Sequence, residues 1–173
     1  DTDRSRGLGD VYKRQVLDQE LRIDADAITE LDDTQCPTGA FLSVEGSPFD
    51  FREMKKIGDG IHCDNAQLKL GGTYDHNFVI NGDGLREAAV LQSKESGIRM
   101  TCFTDQPGVQ LYVPCYTLHQ KGIDGKDYPP YSAVCLETQH YPNAINIEHF
   151  PSVVLKAGEN FRSKTLYHFS VMG

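Results

Sequence analysis

Glu137 interrupts the apolar run AVCLETQ, Ala133–Gln139. In an extended chain alternate side chains share a face, which groups Ala133, Cys135, Glu137 and Gln139. A carboxylate covered among small apolar neighbours loses hydration, and its pKa rises towards that of an effective general base at neutral pH. On this segment alone, a solvent-facing Glu on an edge strand is the more ordinary arrangement. In GGTYDHNF, Gly71–Phe78, Asp75 and His76 follow a glycine pair. Short polar side chains there could hold a sugar hydroxyl through charge-assisted hydrogen bonds. A turn in which Asp75 bonds its own backbone is the competing and modestly favoured reading. Gln110 follows PGV and begins a strand-like run. Its amide donates and accepts, as a sugar hydroxyl does; a solvated strand residue is an equally ordinary role.

Other chemistries find less support. His62, His119, His140, His149 and His168 match no metal-ligand spacing. His168 alternates with Tyr167 and Phe169 and reads as a strand-surface residue, while His140 lies close enough to Glu137 to enter the same cleft. The glycine-rich turns follow neither the dinucleotide nor the P-loop pattern, and no GxSxG nucleophile elbow occurs. Lys126 and Asp127 do not complete a calcium loop.

The elements that must position these residues read as short strands. Leu21, Ile23 and Ala25 alternate with charged residues, as do Ile98, Met100 and Cys102 with Arg99 and Thr101, and Val109, Leu111 and Val113 with Gln110 and Tyr112. Phe78–Ile80, Ala133–Thr138, Ser152–Leu155 and Thr165–Val171 are further strand candidates, and Leu85–Leu91 is a strand or a single helical turn. Dense Gly and Pro punctuation separates them, including GDG at Gly58–Gly60, GG at Gly71–Gly72 and PP at Pro129–Pro130. Short strands at short intervals point to an all-β antiparallel sandwich or barrel.

Composition narrows the partners. The 173 residues are 39% hydrophobic and 24% charged, as in a soluble globular chain. The net charge is -8 and no Lys/Arg cluster exists, which argues against nucleic acid and anionic membranes. No apolar run is long enough to span a bilayer. The five cysteines, Cys36, Cys63, Cys102, Cys115 and Cys135, are odd in number and form no CxxC pair. They suggest neither a disulfide framework nor a zinc site, and reduced thiols fit a cytoplasmic protein. Asp10–Gln15, DVYKRQ, matches the peptide that a transposon end used in preparing sequencing libraries would encode, an ordinary flexible terminus being the competing reading. Residues 1–15 are therefore expected to be an adapter-derived leader, with native sequence from near Val16.

Taken in order, several blocks resemble the aldose 1-epimerase family. They are ELRIDAD at Glu20–Asp26, CPTG at Cys36–Gly39, EGSPFDF at Glu45–Phe51, LKLGGTYDHNFVIN at Leu68–Asn81 and PGVQLY at Pro107–Tyr112. CLETQHYPNAIN at Cys135–Asn146 and HFPSVVLKAGE at His149–Glu159 complete the series, which covers nearly all of Val16–Gly173. The resemblance implies an all-β galactose-mutarotase-like antiparallel β-sandwich (a supersandwich), of which residues 16–173 would be the C-terminal half. It implies interconversion of α and β anomers of aldohexoses such as galactose and glucose, with no metal or organic cofactor. The family's base, the Glu of its LETQ motif, falls on Glu137; its sugar-binding Asp and Gln fall on Asp75 and Gln110. The family's acid histidine belongs to an NHxYFNL motif with no counterpart in this sequence, nor have a second histidine and an arginine of its sugar site. The chain alone is therefore expected to epimerise sugars poorly or not at all. A non-catalytic carbohydrate-binding sandwich and a relative acting on a modified sugar such as a hexose phosphate are the competing readings; the lack of a basic cluster speaks mildly against the second.

Overall fold

In the computed structural model, residues 16–116, 118–121, 125 and 127–173 are described. The expected leader, residues 1–15, lies outside them, as do residues 122–124 of the GIDG turn and Lys126. Two five-stranded antiparallel sheets hold the chain. The first consists of β1 (Glu20–Ile23), β4 (Lys55–Lys56), β6 (Arg86–Gln92), β7 (Ile98–Thr104) and β12 (Thr165–Val171), in the order β12-β7-β6-β1-β4. The second consists of β2 (Ala25–Leu31), β3 (Pro37–Ser43), β5 (Asp75–Ile80), β8 (Gly108–Tyr112) and β11 (Cys135–Gln139), in the order β11-β8-β5-β2-β3. A two-stranded ribbon pairs β9 (Leu118–Lys121) with β10 (Asp127–Tyr128). The all-β sandwich read from the alternation is the observed fold.

The chain passes between the sheets at Asp24. Its backbone N–H donates to Ala88 and its carbonyl accepts from Asn81, so one residue is held by both sheets. A single cluster of buried side chains draws on both layers, including Leu21 and Ile23 from the first and Phe78, Val109 and Leu111 from the second. Phe49 and Phe51, from the loop before β4, fill the space around Tyr74, with ring centroids at 5.5 and 5.3 Å. Burying one such ring contributes about 1.5–3 kcal/mol. The FxF spacing in SPFDF therefore places two aromatics inward and Asp50 outward.

Several local expectations change. Leu85–Leu91 is part of strand β6, one of its two sequence readings. Ser152–Leu155 is not a strand: the segment has no ladder partner and its side chains are exposed. Apolar and β-branched content gives a run the look of a strand whether or not a neighbouring edge exists to pair with it. The glycine pair closes a short helix that the periodicity did not reveal, α1 (Ala66–Gly71). Asn65 caps it by accepting from the N–H groups of Gln67 and Leu68, and Gly72 ends it in the left-handed region at φ 70°, its N–H donating to Lys69. Only Leu68 of that helix is buried, too few apolar contacts to mark a helical period. Cys102 is fully buried, as expected for a small hydrophobe, whereas Cys135 is only half-buried.

Candidate functional site

The site is built on the outer face of the second sheet. Antiparallel register sets Glu137 of β11 opposite Gln110 of β8, and Gln110 opposite Asn77 of β5. One step along, Cys135 faces Tyr112, which faces Asp75. Residues directly opposite one another project to the same side. Glu137, Gln110 and Asp75 thus share one face, and the alternate residues His76, Phe78, Val109, Leu111 and Leu136 point into the core. The three residues singled out from the sequence are brought together by strand pairing alone.

Contacts refine this. Gln110 Nε2 donates to Asp75 Oδ1 at 2.7 Å, and Gln139 Nε2 donates to Gln110 Oε1 at 3.4 Å. The amides form a directed line running from Gln139 through Gln110 to the Asp75 carboxylate. Asp75 and Glu137 line one cavity of about 400 Å³. Glu137 itself is exposed. The covered setting that would desolvate this carboxylate is therefore not supplied by the described residues. Burial of the neighbouring Cys135, and then the charge of Glu137, hold the Cys135 thiol above the usual range.

Asp75 and His76 of YDHNF part company. His76 is buried in the core, its ring 4.6 Å from that of Phe49. Nδ1 accepts from the Asp75 backbone N–H at 3.3 Å, which leaves the proton of the neutral ring on Nε2, an atom without a partner among the described residues. Burial lowers its pKa from 6.5 to about 4. His76 is a core residue and not a sugar ligand. His140 does not enter the cavity either: its Nδ1 lies 2.9 Å from Gln106 Oε1. His168 is exposed on β12, as its alternation suggested.

Sequence reasoning missed the loops that complete the cavity. Gln35, at φ 63°, lines it from the turn between β2 and β3, and its Nε2 donates to Leu70 O at 2.7 Å, tying that turn to α1. Asp32 shapes the turn by accepting from the N–H groups of Thr34 and Cys36 and from the Thr34 hydroxyl. Tyr112 and Tyr116 line the opposite end of β8, their hydroxyls 2.7 Å apart. That hydrogen bond, and then burial, raise the Tyr112 pKa. An Asp-x-Thr turn before CPTG was a local signal for the Gln35 turn; no sequence pattern announces the Tyr112–Tyr116 pair. Among the described residues, no group of three or more His, Cys, Asp or Glu side chains converges as a metal site would require, and no helix is long and apolar enough to cross a membrane.

The family model for aldose 1-epimerase matches residues 8–168. The chain is 39% identical to the galactose mutarotase of Bos taurus over 160 residues, covering 90% of this chain and 45% of that protein. It is 29% identical to the aldose 1-epimerase of Escherichia coli over 164 residues, covering 92% and 47%. Among solved structures, a C. elegans aldose epimerase homologue superposes with a TM-score of 0.77 at 32% identity, covering 92% of this chain and 48% of that one. The galactose 1-epimerase of Lactobacillus acidophilus superposes with a TM-score of 0.78 at 29% identity, covering 92% and 46%. The chain spans about half the length of the relatives it matches.

Proposed function

The chain belongs to the aldose 1-epimerase family, and from that membership we propose that it supplies the base and one sugar-binding wall of a mutarotase acting on aldohexoses such as galactose and glucose. Residues 16–173 would form the C-terminal half of one sandwich domain. The carrying observation is the shared face of Glu137, Gln110 and Asp75, with both carboxylates lining one cavity.

In this reading Glu137 removes the proton from the C1 hydroxyl of the ring form, and a proton delivered to the ring oxygen breaks its bond to C1. The open aldehyde turns about C1–C2, and reclosure on its other face yields the second anomer. Asp75 accepts from a sugar hydroxyl, and Gln110, already donating to Asp75, holds that carboxylate in place. The acid comes from outside this sequence, which lacks the NHxYFNL motif. A base without its acid partner leaves the ring oxygen unassisted. Little or no mutarotation is therefore expected from this chain alone. Five unpaired cysteines suit a reducing, cytoplasmic setting.

The test is polarimetry of α-D-glucose with a full-length parent and its Glu137→Gln variant. Turnover should disappear while sugar binding persists. A non-catalytic binding module would show no turnover in the parent, and parent-like rates from the present chain would overturn the division of acid and base.

A further inference from the structure

Thr73 has no part in the reaction just described, yet it lines the same cavity as Asp75 and Glu137. It is 3% exposed, and among the described residues its hydroxyl has no hydrogen-bond partner. A buried hydroxyl left unpaired lowers stability, so packing alone gives no reason for one here.

The backbone on either side of Thr73 is held. Gly72 closes α1 with its N–H donating to Lys69 O, and the fully buried Tyr74 accepts from Val113 N–H at 2.9 Å. That bond continues the β5–β8 ladder past the Asp75–Tyr112 pair. Alternation carries Thr73 to the outer face with Asp75, two residues and roughly 7 Å away along the chain. The two side chains and a pair of hydrogen bonds to one oxygen can span that gap.

This wall is rich in acceptors. Carboxylates only accept, and the Gln110 and Gln35 amides each already commit a proton, one to Asp75 and the other to Leu70 O. A sugar hydroxyl that gives its proton to Asp75 still has lone pairs to satisfy. A hydroxyl donating to that oxygen polarises the sugar O–H towards the carboxylate, and each bond strengthens the other. One staggered step about the Thr73 Cα–Cβ bond exchanges hydroxyl and γ-methyl, so this donor can turn to a ligand without moving the backbone.

Resting on the mutarotase reading above, we propose that Thr73 is a substrate-binding residue, its hydroxyl donating to the oxygen of the one sugar hydroxyl whose proton Asp75 accepts. The group destabilises the free protein and is satisfied only by sugar.

Thr73→Val replaces the hydroxyl by a methyl group at nearly the same shape. Calorimetric titration of the chain with D-galactose should show this variant binding about fivefold more weakly, the size of one hydrogen bond between neutral groups. Thr73→Ser, which keeps the hydroxyl, should retain most of the affinity. Urea denaturation without sugar should show the Thr73→Val midpoint raised, because an unsatisfied polar group is gone. Stability and sugar affinity then move in opposite directions, which a threonine with a purely structural role would not produce. Among galactoses lacking one hydroxyl, the sugar whose affinity is indifferent to Asp75→Asn should also be indifferent to Thr73→Val. A midpoint that is not raised, an unchanged galactose affinity in Thr73→Val, or different deoxy sugars for the two variants overturns the contact and leaves the hexose site standing. Failure of galactose to bind the chain overturns the contact together with the wall on which it rests.

Discussion

Gly108 leaves the space that the Asn77 side chain occupies. A Cβ added at Gly108 would lie 2.3 Å from Asn77 Oδ1 and 3.0 Å from Tyr141 Cδ1. Asn77 is 1% exposed, and among the described residues neither of its amide atoms has a hydrogen-bond partner. It is flanked by the Glu137–Gln110 row and cannot move outward without disturbing Gln110. Gly108→Ala should destabilise the chain by about 1–3 kcal/mol, as overpacking does. Urea denaturation measures this. The double variant with Asn77→Ala should recover most of the loss, because the clash is with the amide.

His76 makes stability depend on mild acid. Its folded pKa of about 4 lies below its unfolded value of 6.5, the cause being burial. Between those values the unfolded chain binds a proton that the folded chain refuses, so stability rises with pH. The contribution is fully present above pH 6.5 and declines towards pH 4 by about 3 kcal/mol, each pKa unit being worth about 1.4 kcal/mol. Denaturation midpoints across this range should fall accordingly. His76→Phe, which keeps a ring against Phe49, should flatten the dependence; an unchanged slope would place the titrating group elsewhere.

Asp50 acts at lower pH and with the opposite partner. The Arg52 guanidinium, donating from Nε and Nη2, holds its carboxyl near 2, below the usual 3.8. This stabilisation is present above pH 3.8 and lost as pH falls towards 2. Arg52→Leu should therefore flatten the loss of stability on acidification in that window and lower stability modestly above it, where the pair is partly solvated and screened.

In an active parent, Gln110→Ala should raise KM for aldoses about tenfold with a smaller change in kcat. It removes the donor that fixes Asp75, and a hydrogen bond to a charged group contributes about 1.5–3 kcal/mol. Polarimetric kinetics over a range of glucose concentrations gives the split. A fall in kcat alone would move Gln110 from binding to chemistry.

Strand β12 ends its sheet among the described residues, and its outer residues are apolar: Phe169 is 64% exposed and Val171 80%. Such an edge invites pairing with another chain. The isolated chain should self-associate, visible by light scattering, and Phe169→Lys with Val171→Lys should reduce the effect.

What could be read from the sequence was whatever strand alternation encodes. Leu21 and Ile23, Cys102, Val109 and Leu111 were placed inward by their period, and the same period put Glu137 and Gln139 on one face. Asp75 and Gln110 were identified as separate candidates, but their 2.7 Å contact depends on the β5–β8 register, which no single segment carries. His76 misled because its neighbour Asp75 points the other way, so one step of alternation separates core from cavity. Gln35 and Tyr116 reach the cavity from turns whose placement is set by distant anchors, Leu70 for one and Tyr131 for the other. Ser152–Leu155 shows the converse limit: a segment can be apolar enough for a strand and find no edge to join.

Strand β5 has work on both sides, with Asp75 and Asn77 outward and His76, Phe78 and Ile80 inward. A one-residue insertion or deletion there would exchange polar wall for oily interior at every position at once. Evolution can therefore scarcely edit this strand. Changes to the cavity within such a lineage should accumulate in the turns that carry Gln35 and Tyr116, where a new side chain disturbs no ladder.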